Sequence, residues 1–202
     1  MNASTTTRPT EVVATQEFDS PVGRLMVSAV AQGVVSVDWV DKSQERPLRA
    51  VGEDADSRGN ESAAIWCSEA IKQLGEYFRG ERTRFDLPLV VQGTAFQRAV
   101  WKALEQIPYG ETRSYQDIAR QIGRDKAVRA VGQANRANPI PIVIPCHRVI
   151  GANGQLTGYA GSKVHLKAAL LSLEQSLGGL APVAATGQIA VATPPVHTSP
   201  VE

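Results

Sequence analysis

The segment Asn138-Pro139-Ile140-Pro141-Ile142-Val143-Ile144-Pro145-Cys146-His147 constrains this chain more than any other. Prolines at 139, 141 and 145 have no amide proton and a fixed φ, so no α-helix can run through them. The residues between them are apolar and β-branched, the kind that fits a pleated, buried surface. The segment therefore predicts an extended, apolar strut that delivers Cys146 at its end. A cysteine in such surroundings is ordinarily inert, because apolar burial raises the thiol pKa. Here His147 and Arg148 follow at once, and a neighbouring imidazole or positive charge favours the thiolate. From the residues alone, inert core thiol and nucleophile stand level.

What precedes the strut divides into two parts. Residues 12–18, 24–30 and 34–40 read as strands, separated by the turn signals Asp19-Ser20-Pro21-Val22-Gly23 and Gln32-Gly33. Turns this short predict an antiparallel meander. Residues 41–61 are polar and charged and read as a mobile connection. Ile65, Ile71, Leu74 and Phe78 then recur near helical spacing over 63–78, with Gly80 as the stop and Cys67 as a small buried or half-buried member.

After an extended link at 86–93, Thr94 and Gln97 form a capping box. Phe96, Val100 and Leu104 supply the helix's apolar stripe, and Ile107-Pro108-Tyr109-Gly110 stops it. Ser114 with Asp117 caps a second helix that ends at Gly123, and a third is expected over 126–135. Two short helices across a Gly-containing turn make a helix-turn-helix pattern. The third helix has Ala127, Ala130, Val131 and Ala134 on one side and Lys126, Arg129, Gln133 and Arg136 on the other. The expected fold class is α/β: an N-terminal antiparallel β-meander plus helix, then a mainly helical C-terminal domain carrying the helix-turn-helix and the cysteine. Expected boundaries are 1–10 (disordered), 11–92, 93–176 and a Pro/Thr/Ala-rich disordered tail at 177–202.

The net charge of +1 hides an asymmetry. Residues 1–93 carry ten Lys/Arg against fourteen Asp/Glu, whereas residues 94–175 carry eleven against five, a local excess of six positive charges. A basic half joined to an acidic half points to a polyanionic partner. No apolar run approaches the roughly 20 residues a membrane span needs, and the N-terminus has no secretory pattern. Two cysteines, Cys67 and Cys146, are neither a disulfide framework nor a zinc site. A cytoplasmic protein is expected.

The sequence Pro145-Cys146-His147-Arg148-Val149 resembles the active-site signature of the O6-alkylguanine-DNA alkyltransferases, also called methylated-DNA–protein-cysteine methyltransferases. Phe96-Gln97-Arg98-Ala99-Val100-Trp101, Ile107-Pro108-Tyr109-Gly110-Glu111-Thr112, Ser114-Tyr115, Arg129-Ala130-Val131-Gly132 and Asn138-Pro139 fall in the same family order. Leu156-Thr157-Gly158-Tyr159-Ala160-Gly161 is similar to the loop that closes the family's alkyl pocket.

The resemblance implies a direct-reversal repair protein that moves a methyl or small alkyl group from guanine O6, and from thymine O4 in some cases, onto Cys146. Transfer would occur once per molecule, after the base is flipped out of double-stranded DNA. His147 would take the thiol proton through a water, Glu174 would orient the imidazole, and Tyr115 would donate to the departing guanine. Arg129 would fill the vacated stack, with Lys126, Gln133, Arg136 and Ser114 at the DNA and Asn138 bracing the turn before the cysteine. Leu156, Thr157, Gly158, Tyr159, Ala160, Pro141 and Val149 would line the pocket. No cofactor, metal, membrane or obligate protein partner is implied, and a monomer is expected.

The chain departs from the family pattern in three ways. It has one residue more between Tyr159 and Glu174, it carries Ala160 where some members have Ser, and it lacks the N-terminal zinc ligands of other members. Two rival readings are a cysteine hydrolase and a DNA-binding module without chemistry. The hydrolase needs an oxyanion hole and leaves the basic helix unexplained, while lesion-binding relatives lack the cysteine that this chain keeps.

Overall fold

The computed structural model describes residues 14–40, 57–156 and 163–178. Strands β1 (Ala14–Ser20), β2 (Gly23–Val30) and β3 (Gly33–Trp39) form an antiparallel sheet in that order. Alternation turns Leu25 and Val27 inward, and a register irregularity that leaves Val35 unpaired on β3 lets Val34 and Val37, three residues apart, both face the same way. Helix α1 (Ser57–Phe78) lies on this face through Ala63, Cys67, Ala70, Leu74 and Tyr77. Small residues at three of those positions allow close approach to the sheet, and the Cys67 thiol sits 3.5 Å from the Val27 carbonyl.

Helix α1 departs from expectation at two places. Residues 57–61, assigned to the connection, are the first turn of α1, and Ile65, assigned to the apolar face, is 57% exposed. A size-weighted reading favours Ile65, but the sheet accepts the small-residue face. Residues 1–10, most of the 41–61 connection and nearly all of the 177–202 tail lie outside the described residues.

The 86–93 link is extended and docks on the outer edge of β3. Val34 N–H donates to Pro88 O at 2.9 Å and Val90 N–H to Val34 O at 2.8 Å. Farther along that edge Val37 N–H donates to Pro139 O at 3.0 Å, which fastens the sheet to the proline segment.

Both capping boxes form. Thr94 and Gln97 cap α2 (Ala95–Leu104), and Ser114 and Asp117 cap α3 (Tyr115–Gln121), each contributing about 1 kcal/mol. Helix α4 (Val128–Arg136) packs on both, and Trp101 Nε1–H donates to Ala134 O at 2.9 Å, joining α2 to α4. It begins two residues later than expected, with no side-chain cap, so Lys126 and Ala127 precede it. Ala130 is exposed; the buried side is Val131, Ala134 and Asn135.

The proline segment is buried as expected but is not a strut. Pro141 and Ile144 bridge each other, Ile144 N–H returns to Ile140 O at 2.9 Å, and Ile142 takes the left-handed region at φ 75°. The reason is hydrogen-bond satisfaction. Prolines remove the donors that would pair a buried strand, so the chain turns back on itself to satisfy its carbonyls. A single 3-10 turn, Cys146–Arg148, follows Pro145. Strand β5 (Val149–Ile150) then pairs in parallel with β4 (Arg113–Ser114), and α5 (Val164–Gly178) closes the described chain. Among the described residues no helix is long and apolar enough to cross a membrane.

The junction between sheet and link generates a test. Gly33 has φ 149°, and a Cβ there would lie 2.2 Å from Pro88 O. Gly33→Ala is expected to cost about 2 kcal/mol or more. It should lower the urea midpoint without changing the denaturant slope.

Candidate active site

Cys146 opens the 3-10 turn and is 3% exposed. Its position is held from two sides. Asn138, two residues past α4, donates through Nδ2 to Ile144 O at 2.8 Å and accepts from Ile140 N–H at 3.0 Å. Asn135, buried on α4, donates to Cys146 O at 3.3 Å. Burial pushes the thiol up to about 11. The Asn138 side chain, the Lys167 charge and the backbone N–H groups of Cys146 and His147 pull the other way. The resting thiol is therefore protonated at neutral pH. This differs from the sequence reading, in which Arg148 helped to ionise it, because Arg148 is spent elsewhere.

It is spent on Glu174. This carboxylate, on α5 and without exposed surface, accepts from Arg148 Nε at 2.9 Å and Arg148 Nη2 at 2.9 Å. It also accepts from the Gly110 N–H at 3.0 Å, the Tyr77 hydroxyl at 2.7 Å and His147 Nε2–H at 2.7 Å. Burial alone would raise Glu174. His147 and Arg148 outweigh it and hold the carboxyl well below the usual range.

An ionised carboxylate only accepts, so the proton between it and His147 belongs to Nε2. That leaves Nδ1 as the basic nitrogen, buried and with no hydrogen-bond partner among the described residues. Desolvation lowers the His147 pKa, against the pull of Glu174, so the ring is neutral and able to accept a proton at neutral pH. Cys146 and His147 are neighbours on the 3-10 turn and Glu174 fixes the imidazole through Nε2, so a thiol, a basic nitrogen and an ionised carboxylate occupy adjoining positions. The one-residue difference between Tyr159 and Glu174 does not prevent the contact.

Lys167 escaped the sequence reading. It is 0% exposed, donates through Nζ to Val149 O, and lies 5.7 Å from the Tyr115 ring centroid. Burial brings its pKa down to about 8, with the Cys146 charge opposing. It is the cation whose field favours the Cys146 thiolate, the part the sequence assigned to Arg148. The available signal was its spacing: Lys167 lies seven residues, two helical turns, before Glu174 on one face of α5. Asn135 and Tyr77 were missed too, since neither differs in sequence from an ordinary helix residue.

The remaining predicted residues fall into three groups. Tyr115 begins α3, half-buried, beside Lys167, with Ser114 as the cap before it. Arg129, Gln133 and Arg136 are exposed on α4, with exposed Lys126 on the turn preceding it. Pro141 and Val149 are buried, and Leu156 packs on Ile150 and Leu171. Thr157, Gly158, Tyr159 and Ala160 lie outside the described residues. Among the described residues no three His, Cys, Asp or Glu side chains converge as metal ligands would.

The buried pair sets a stability expectation. Glu174→Gln leaves Arg148 without its counter-charge and should cost about 3–5 kcal/mol at neutral pH. The native carboxyl lies below its reference of 4.5, so its contribution is complete above that pH and is lost as pH falls through the native value. Denaturation across an acid series should show the gap between wild type and variant narrowing below about pH 4.5.

Comparison with known proteins agrees over both halves of the chain. The model of the 6-O-methylguanine DNA methyltransferase ribonuclease-like domain matches residues 15–91, and that of the DNA-binding domain matches residues 95–176. The constitutive methylated-DNA–protein-cysteine methyltransferase of Bacillus subtilis is 48% identical over 162 residues, covering 78% of this chain and 92% of that protein. Its namesake in Mycolicibacterium paratuberculosis is 49% identical over 157 residues, covering 78% and 89%. A solved structure of Mycobacterium tuberculosis OGT in complex with DNA superposes with a TM-score of 0.68 at 45% identity, covering 81% of this chain and 93% of that one. The chain belongs to the 6-O-methylguanine DNA methyltransferase family.

Proposed function

We propose that this chain is a methylated-DNA–protein-cysteine S-methyltransferase. It repairs double-stranded DNA by taking a methyl or small alkyl group from guanine O6 onto Cys146, with thymine O4 as a further candidate donor. The observation that carries the reading is the buried Cys146–His147–Glu174 set, with His147 Nε2 2.7 Å from Glu174 Oε1, hydrogen-bonded through Asn135 to a helix with exposed basic residues.

In the reaction the sulfur attacks the alkyl carbon, forming the S–C bond as the C–O6 bond breaks. The thiol proton passes through water to His147 Nδ1, and the departing guanine takes up a proton in exchange, with Tyr115 donating to the ring as negative charge develops. Ionising a thiol that rests protonated is the main demand on the site, and Lys167 lessens it by favouring the anion. A base within a duplex cannot reach a buried thiol, so it is flipped out at a cost of about a few kcal/mol. Arg129 occupies the vacated stack, while Lys126, Gln133, Arg136 and Ser114 meet the backbone without reading sequence. Asn138 braces the turn beneath the cysteine. Pro141, Val149, Leu156 and the 157–160 stretch enclose the alkyl group. The protein acts as an intracellular monomer without cofactor or metal, in two units at 11–92 and 93–176.

A thioether has no leaving group that water can displace readily, so each molecule accepts one alkyl group and stops. Excess O6-methylguanine DNA should give one burst equal to the protein present, with mass spectrometry placing a single methyl on the Cys146 peptide. A cysteine hydrolase would turn over instead, and sustained turnover or modification at Cys67 alone would overturn the assignment. Separately, Arg129→Ala should slow repair of duplex DNA by at least about tenfold while leaving reaction with free O6-benzylguanine nearly unchanged, since only the duplex requires a base to be held out. Equal losses on both would remove that role from Arg129.

A further inference from the structure

Tyr77 stands ninety-seven residues from Glu174, on the helix that covers the N-terminal sheet, yet its hydroxyl donates to Glu174 Oε1 at 2.7 Å. The same oxygen accepts His147 Nε2–H at 2.7 Å and Arg148 Nη2 at 2.9 Å. Tyr77 and His147 therefore compete for one atom. The phenol is fully buried, and its ring is fixed among Phe78, Phe85 and Tyr109 at centroid distances of 5.3, 5.5 and 5.9 Å. It cannot swing aside without opening the core.

We propose that Tyr77 is a positioning residue for alkyl transfer: by occupying Glu174 Oε1 it limits how strongly the carboxylate draws on His147, and so sets the basicity of the imidazole that serves Cys146. The inference rests on the reading of Cys146 as the alkyl acceptor. The groups facing His147 are Glu174 and Lys167 from α5, and Cys146 and Arg148 from its own turn. Tyr77 from α1 and Tyr109 from the turn after α2 act through Glu174. Among these, Tyr77 alone is a neutral donor from the N-terminal half, and it touches the oxygen that orients the ring. A donor on a carboxylate disperses its charge. Removing the hydroxyl concentrates that charge on His147, which strengthens its bond and raises its proton affinity. Burial, then the Glu174 charge, hold the phenol well above its ordinary pKa, so it stays a donor throughout the working range.

The test is the single-turnover rate constant for benzyl transfer from free O6-benzylguanine to the full chain, measured between about pH 5 and pH 9. Tyr77→Phe should move the acid limb upward by about half a unit, a roughly threefold slower rate on its low-pH side. Site-specific 3-fluorotyrosine at position 77, a stronger donor, should move the limb downward. Phe85→Leu, which loosens the packing and spares the hydroxyl, should lower Tm and leave the limb in place. Burst amplitude reads the folded fraction and the rate constant reads only folded molecules, so partial misfolding cannot imitate a shifted limb. If the phenylalanine variant does not fold at all, the fluorotyrosine protein decides alone. Superimposable profiles, or shifts of the same sign in both variants, would overturn the proposal. Absence of benzyl transfer in the wild type would instead overturn the assignment of Cys146, and this inference with it.

Discussion

A single carboxylate with no exposed surface organises this molecule. Removing a charge from water costs several kcal/mol, and the protein offsets this only if every lone pair finds a donor. Glu174 finds them on three separate pieces of chain: α1, the turn after α2 and the 3-10 turn, whose Arg148 also donates through Nη1 to Ile107 O in the turn after α2. Each donor fixes the piece it belongs to. The seat of α5, the path of the turn at Gly110 and the orientation of His147 are tied to satisfying one anion, which is why stability and reactivity share residues here.

That sharing shapes the electrostatics. Arg148 adjoins the cysteine in sequence but delivers its charge to Glu174, so the thiol is left to Lys167, to Asn138 and to backbone N–H groups. Adjacency along the chain turns out to be a poor guide to adjacency of charge. Successive side chains on a 3-10 turn point in different directions, and the nearest buried anion claims the nearest guanidinium.

Much of the fold could be read from local chemistry. The strands, the three-stranded order and both capping boxes depend on residues within a few positions of each other, and they appear where Thr94, Gln97, Ser114 and Asp117 put them. Misreadings came where burial is decided at a distance. Ile65 lost its place in the core to alanines because sheet and helix approach closely, and the prolines produced a folded-back turn because buried carbonyls had to be paired. Cys146, His147 and Glu174 stood out through residue type and family pattern. Lys167, Asn135 and Tyr77 did not, since a lysine, an asparagine and a tyrosine on amphipathic helices look like surface or core residues until the partner across the fold is known.

The stretch from 137 to 145 joins helix α4, with its exposed basic residues, to the thiol, and it is pinned by the two asparagines, by Pro139 O on β3 and by buried isoleucines. It behaves as a gauge of fixed depth rather than a spring. On the proposed reading, a protein built this way does not reach for its target; the double helix has to yield to it. Yielding is easiest where pairing is already weakened by damage. Discrimination can then begin before any chemistry, because a rigid gauge sorts base pairs by their looseness.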